Sequence, residues 1–400
     1  MGHLSASHLA AVGIGSMIFN FIYWNMGFLR MGTTGITAQA FGGKQRAKIR
    51  DTLVRSILIA FMIALIILLF RNAILKSGFV LMNVGESYYD MAWAYCSIRI
   101  WAAPATLALY SLFGWYFGMQ NAIIPLVITL VLNIVNILCS LYFVRVLDMG
   151  AEGVALGTLI AQYSGLILGL LFLVKYKGYF KQFRMSVLFE MDALLSFLRI
   201  NVDIFIRTLS LTSVFAFFYS MSAVQGSLIL AANTILMQFL NWMSYGIDGF
   251  AYAAESMVGK YKGASDEHKL MKSIKLSFMW AFVLAVLTAA VYGLKGELLL
   301  RIFTNDIEVI EMAASFLFWM ALFPIIGFAS YIWDGIYIGL TASKAMRNSM
   351  LISMIFFFAS FYALRTIWPV HSLWIALLIF LLVRAIIQDF LFRRKGLQLK

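Results

Sequence analysis

The chain has 400 residues, 62% of them hydrophobic and only 12% charged, with a formal net charge of +13. Soluble domains carry roughly 25% charged residues and about half apolar ones. A mean hydropathy of +0.89 therefore excludes a soluble globular protein, whose surface has to face water. The positive excess does not point to nucleic acid either. The basic residues sit in short clusters between long apolar runs, the pattern of cytoplasmic connectors in a membrane protein.

Crossing a hydrocarbon core takes about 20 apolar residues in a helix. In chain order, runs of that kind fall at 8–40, 52–75, 88–119, 121–146, 152–175, 193–223, 228–258, 273–294, 307–341, 345–366 and 370–392. Eleven transmembrane helices are predicted, several longer than a minimal span and so tilted or protruding. Lys44, Arg46, Lys48 and Arg50 follow the first run, and Lys175, Lys177, Lys181 and Arg184 the fifth. Lys260, Lys262, Lys269 and Lys272 follow the seventh, Lys344 and Arg347 the ninth, and Arg393, Arg394, Lys395 and Lys400 the last. These clusters all fall on one side, which the positive-inside rule makes cytoplasmic. Met1 is thereby placed outside, with no cleavable signal, because the first basic residue is Arg30.

The sequence repeats itself. GTTGITAQAFGGK (32–44) is echoed by GIDGFAYAAESMVGK (246–260). Gly114 and Gly118 are matched by Gly335 and Gly339, and Val154-Ala155-Leu156 by Ile375-Ala376-Leu377. The separation drifts from about 216 to 221 positions, and both copies run in the same direction, as parallel repeats do. The run at 193–223 has no counterpart before residue 8. The expected organisation is all-α and membrane-integral, with two parallel-repeat bundles of five and six helices over 1–185 and 186–400. A first helix of the ancestral unit is expected to be missing, so that the chain is expected to insert poorly and to transport weakly or not at all.

Several longer stretches carry a resemblance: FLRMGTTGITAQAFGGK (28–44), NVDIFIRTLSL (201–211), GIDGFAYAAESMVGK (246–260), YIWDGIYIGLTASKAMRNSM (331–350) and HSLWIALLIFLLVRA (371–385). The chain resembles the multidrug and toxic compound extrusion (MATE) family, in its DNA-damage-inducible F (DinF) branch. The resemblance implies two helical bundles around a central cleft and export of organic, often cationic compounds against entry of H+ or Na+. It also implies a multi-pass protein of the bacterial inner membrane. Relatives carry a Val-Asp-Thr-like stretch before Gly-His-Leu. Here Gly2-His3-Leu4 is present without that Asp, which puts proton coupling in the first half in doubt.

Intramembrane carboxylates are costly unless paired or wetted, and so mark function. Asp203, Asp248, Glu255 and Asp334 are the candidates for cation coupling, all in the second half. Asp203 and Arg207, four apart on one helix, are expected to pair, and Asp248 to lie near them. Glu255 and Asp334 are expected nearer the cytoplasmic ends, where snorkelling or a helix-end salt bridge is an equal alternative. Arg30, Arg99 and Arg384 also fall in or near spans, and Arg30 is a candidate partner for a carboxylate or for lobe packing. Asn20, Tyr23, Gln39, Asn201, Tyr245 and Tyr252 are candidates to line the cleft, where aromatic faces suit flat cations. Expected partners are a small organic substrate, H+ or Na+ and membrane lipid, without nucleic acid, and the chain is expected to be a monomer.

No cofactor, metal site or catalytic centre is expected. There is no GxxxxGK[ST] loop for ATP. His3, His8, His268 and His371 form no HExxH or triad, and Cys96 and Cys139 match no zinc spacing. Two alternatives stay open at this point: a lipid-linked oligosaccharide flippase of related architecture, and an inactive truncated transporter.

Overall fold

The computed structural model describes residues 6–82, 84–181 and 190–395. The described residues are helical almost throughout, in the order α1 Ala6–Asn25, α2 Phe28–Gly42, α3 Arg46–Leu69, α4 Arg71–Leu81, α5 Glu86–Arg99, α6 Ala103–Gly118, α7 Ile123–Arg145 and α8 Gly150–Leu173. They continue with α9 Met191–Gln225, α10 Ser227–Gly263, α11 Glu267–Phe303, α12 Ile307–Ala314, α13 Leu317–Gly339, α14 Ser343–Leu364 and α15 Ser372–Lys395. Two compact units are formed, residues 1–197 and 198–400. The boundary expected at 185/186 lies outside the described residues.

Among the described residues ten helical segments are long and apolar enough to cross a membrane. The run expected at 228–258 is not one of them. It is α10, whose 37 residues would reach across at ~55 Å. Asn233, Gln238, Asn241, Asp248 and Glu255 along one helix make it too polar to be recognised by apolarity alone. Several expected single runs are also divided. The first breaks at Met26–Gly27 between α1 and α2, and the ninth at Ser315–Phe316 between α12 and α13.

In the first unit α6 is central. It packs on α2 through Gly114 and Gly118: a Cβ at Gly114 would run into the Arg30 carbonyl, and one at Gly118 would lie 2.5 Å from Thr37 Cβ. Trp115 donates from its indole to the Ile49 carbonyl at 2.9 Å, and Tyr116 from its hydroxyl to the Gly169 carbonyl at 2.7 Å. These polar ends are satisfied inside a core of Ile49, Leu53, Leu109, Leu112, Ile124 and Ile128. Buried polar groups without such partners would cost more than their rings gain. By contrast α7 leaves Ile123, Leu126, Leu130, Ile134, Ile137 and Leu141 exposed. That helical-period apolar stripe suits lipid.

The second unit repeats this geometry in one register. A Cβ at Gly335 of α13 would run into the Ala251 carbonyl of α10, and one at Gly339 would lie 2.6 Å from the Glu255 carbonyl oxygen and 3.0 Å from the Gly259 nitrogen. Left-handed backbone recurs at Lys44 and Ser265, and again at Gln120 and Thr341. Each ends a helix with the same hydrogen bonds: Gln45 N–H to Ala40 and Asp266 N–H to Tyr261, then Asn121 N–H to Tyr116 and Ala342 N–H to Tyr337. All these pairs are 221 positions apart. The drift from 216 expected from the sequence is thereby corrected: Ala38 corresponds to Gly259, not Ala254. The sequence match at 216 followed a run of small residues, whereas the geometry follows the helix ends.

Candidate functional site

The charged residues of the second unit lie in two clusters. Helix α13 brings Asp334 inward between α9 and α15. Arg207 of α9 and Arg384 of α15 both donate to its Oδ2, and Gln388, one turn beyond Arg384, donates to its Oδ1 at 2.9 Å. All four are buried, Arg384 to within 1% of its surface. Burying ions costs several kcal/mol each unless geometry and extra hydrogen bonds compensate. Here two guanidinium forks and an amide fill the carboxylate's acceptor sites. Tyr331, one turn before Asp334, and Asp248 on α10 are close enough for Asp248 to act electrostatically on both Tyr331 and Arg384. With Asp248 ionised, two carboxylates balance two arginines.

The second cluster lies one turn down α9. Asp203 accepts from Arg347 Nη1 at 2.5 Å and from Ser343 Oγ at 3.0 Å, both at the start of α14. The expected pairing of Asp203 with Arg207 is therefore wrong. An i,i+4 pair is available on a bare helix, but cross-helix partners with better geometry take both charges. Asp203 is committed instead to the start of α14, through Ser343 and Arg347. Asp334 does not snorkel, being held inside by its two arginines. Glu255 is also buried, at 1% exposure, where α10 packs on α13.

Helix α10 presents a polar stripe on its open side. Thr234, Gln238, Asn241, Tyr245, Asp248 and Tyr252 recur at alternating steps of four and three and are exposed or half-exposed. Tyr245 is 63% exposed. At the common register of 221, α1 repeats the stripe in the first unit as Gly13, Met17, Asn20 and Trp24, all exposed. In this register asparagine is matched by asparagine and aromatic by aromatic, but Asp248 corresponds to Gly27. Glu255 corresponds to Thr34 and Asp334 to Phe113. The scaffold is duplicated and the carboxylates are not.

The remaining candidates are distributed. Tyr23 is half-buried and stacks on Phe19, with centroids 5.7 Å apart. Gln39 and Arg30 are half-buried on α2, where the Arg30 carbonyl accepts from Thr34 at 2.9 Å. Asn201 is buried and lies on no exposed face. Arg347, Ser343 and Gln388 did not stand out in the sequence. Opposite charges buried in separate spans, Asp334 and Arg384, were the signal that could have joined α13 to α15. Among the described residues no group of His, Cys, Asp and Glu is arranged to hold a metal ion.

The MatE family model matches residues 1–141 and 204–363. DNA damage-inducible protein F of Escherichia coli (strain K12) is 33% identical over 398 residues, covering 98% of this chain and 86% of that protein. The chain belongs to the MatE family. Human multidrug and toxin extrusion protein 1 is 26% identical over 316 residues, and the chain spans 55% of its length. A MATE structure in the bent conformation superposes with a TM-score of 0.90 at 19% identity, covering 98% of this chain and 88% of that one. An outward-facing multidrug resistance MATE family transporter of the MOP superfamily gives 0.83 at 21% identity, with coverage of 99% and 89%. The family assignment and the membrane-length helices make this a multi-pass plasma-membrane protein of the transporter class, related to multidrug and toxin extrusion proteins.

Proposed function

We propose that this MatE-family chain is a secondary exporter that moves small organic, chiefly cationic compounds out of the cell against inward flow of H+ or Na+, with Asp248 as its coupling carboxylate. The observation that carries this reading is the position of Asp248. It stands on the open stripe of α10 and acts electrostatically on the buried Arg384. A carboxylate that is half-exposed can bind and release a cation. Asp334 and Asp203, locked by arginines, serve as fixed charges that hold the unit together. Neutralising Asp248 by a proton or Na+ leaves the cluster with a net positive charge, which repels a cationic cargo. An ionised Asp248 restores balance and admits one. That alternation is the requirement for exchange.

Asp248→Asn is expected to abolish gradient-driven efflux of a cationic dye from proteoliposomes at unchanged protein recovery. A second measurement separates coupling from cargo binding. If Asp248 couples, Asp248→Asn is fixed in the neutral state, and whatever dye movement remains no longer depends on the imposed H+ or Na+ gradient. Efflux by the variant at the wild-type rate and with the wild-type gradient dependence would remove Asp248 from this role.

A further inference from the structure

We propose that the first unit contains a binding site for a single negative charge at mid-membrane depth, built around Arg99. Arg99 closes α5, ~20 Å along the helix from Glu86 and well inside the span Glu86–Gly118. An arginine at that depth is expensive unless it is paired or wetted. Among the described residues its partners are all neutral. Nη1 donates to Ser16 Oγ at 3.0 Å and to Tyr95 Oη at 2.5 Å. The guanidinium also lies over the Phe19 and Tyr95 rings, at 5.0 and 5.6 Å from their centroids. Among the described residues no carboxylate reaches it, in contrast to Arg207 and Arg384, which share Asp334.

These contacts use the two Nη1 hydrogens of the five N–H donors a guanidinium offers. The Nε and Nη2 hydrogens are left to meet an acceptor. The hydroxyls around it are donors in waiting as well. Ser16 and Tyr95, having accepted from Arg99, lie 3.2 Å apart, so one bond between them leaves one O–H over. Tyr23, within electrostatic reach of Arg99, has a buried hydroxyl next to that of Thr106, and neither makes a hydrogen bond of standard geometry. Thr106 is only 5% exposed. A cation with free donors, ringed by hydroxyls without acceptors, is chemically complementary to a monovalent anion. Chloride and the carboxylate of an organic ligand share that chemistry. A cationic cargo gains nothing here. The site thus adds a ligand class that the coupling carboxylate of the second unit does not supply.

The test is a thermal-midpoint titration of the full chain in detergent. Sodium chloride, sodium acetate and sodium benzoate are the probes, with sodium isethionate holding ionic strength constant. A saturable rise is expected in wild type, absent in Arg99→Gln. Tyr23→Phe and Thr106→Val should each weaken the apparent affinity about 2- to 10-fold, the range of one hydrogen bond. Chloride acting alone identifies an inorganic ion as the occupant, and acetate and benzoate acting as well identify an organic carboxylate. A saturable rise that persists unchanged in Arg99→Gln overturns the site. So does the absence of saturation with all three salts. If Arg99→Gln does not yield monodisperse protein, unchanged affinity in both Tyr23→Phe and Thr106→Val overturns it instead.

Discussion

Replacing Asp334 with leucine is expected to cost the second unit about 3–5 kcal/mol, the range seen when one member of a buried ionic group is removed. The size follows from what stays behind. Arg207 and Arg384 both donate to one oxygen of Asp334, so its loss leaves two guanidinium groups facing each other in the interior. Arg384→Met should cost less, because Asp334 keeps Arg207 and Gln388. The double variant Asp334→Leu, Arg384→Met removes one charge of each sign and should recover part of the loss, with a coupling of about 0.5–3 kcal/mol. Thermal midpoints of the purified single and double variants in detergent measure this. Additive losses would mean that the three charges do not act as one unit.

The same cluster marks the limit of what the sequence reveals. The apolar runs are set by the thickness of a bilayer, so ten membrane-length helices are legible from local composition. α10 was legible too, although its polar residues dilute its apolarity. Intramembrane carboxylates stand out against such a background, which is why Asp203, Asp248, Glu255 and Asp334 could be singled out. Their partners could not be assigned. The Asp203–Arg207 pairing relied on sequence proximity, the one kind of neighbour a sequence displays. The observed partners, Arg347 for Asp203 and Arg384 for Asp334, come from helices 144 and 50 residues away. Arg99 escaped as a site because its significance lies in the absence of a carboxylate among its neighbours, which only the packing of α1 against α5 discloses.

The repeat register leads to a prediction that tests the fold in both units at once. Gly114 and Gly335 stand at corresponding positions, and at each a Cβ would press on a backbone carbonyl, of Arg30 and of Ala251. Carbonyls cannot rotate away as side-chain ends do. An alanine there has to push α6 off α2, or α13 off α10, and overpacking of that kind costs typically 1–3 kcal/mol. Gly249 and Gly13 provide the control, since a Cβ at either meets nothing within 4 Å. There alanine only removes the conformational freedom of glycine in a helix, worth up to about 1 kcal/mol in favour of the variant. Gly114→Ala and Gly335→Ala are therefore expected to lower the thermal midpoint by similar amounts, and Gly249→Ala and Gly13→Ala to leave it level or raise it. Gly335→Ala carries a further consequence, because displacing α13 also moves Asp334, the adjacent residue, away from Arg207 and Arg384. Its loss should exceed that of Gly114→Ala, whose neighbour Phe113 holds no charge. Equal midpoints across all four variants would show that the close approach of these helices does not limit stability, and that the duplicated register leaves no energetic trace.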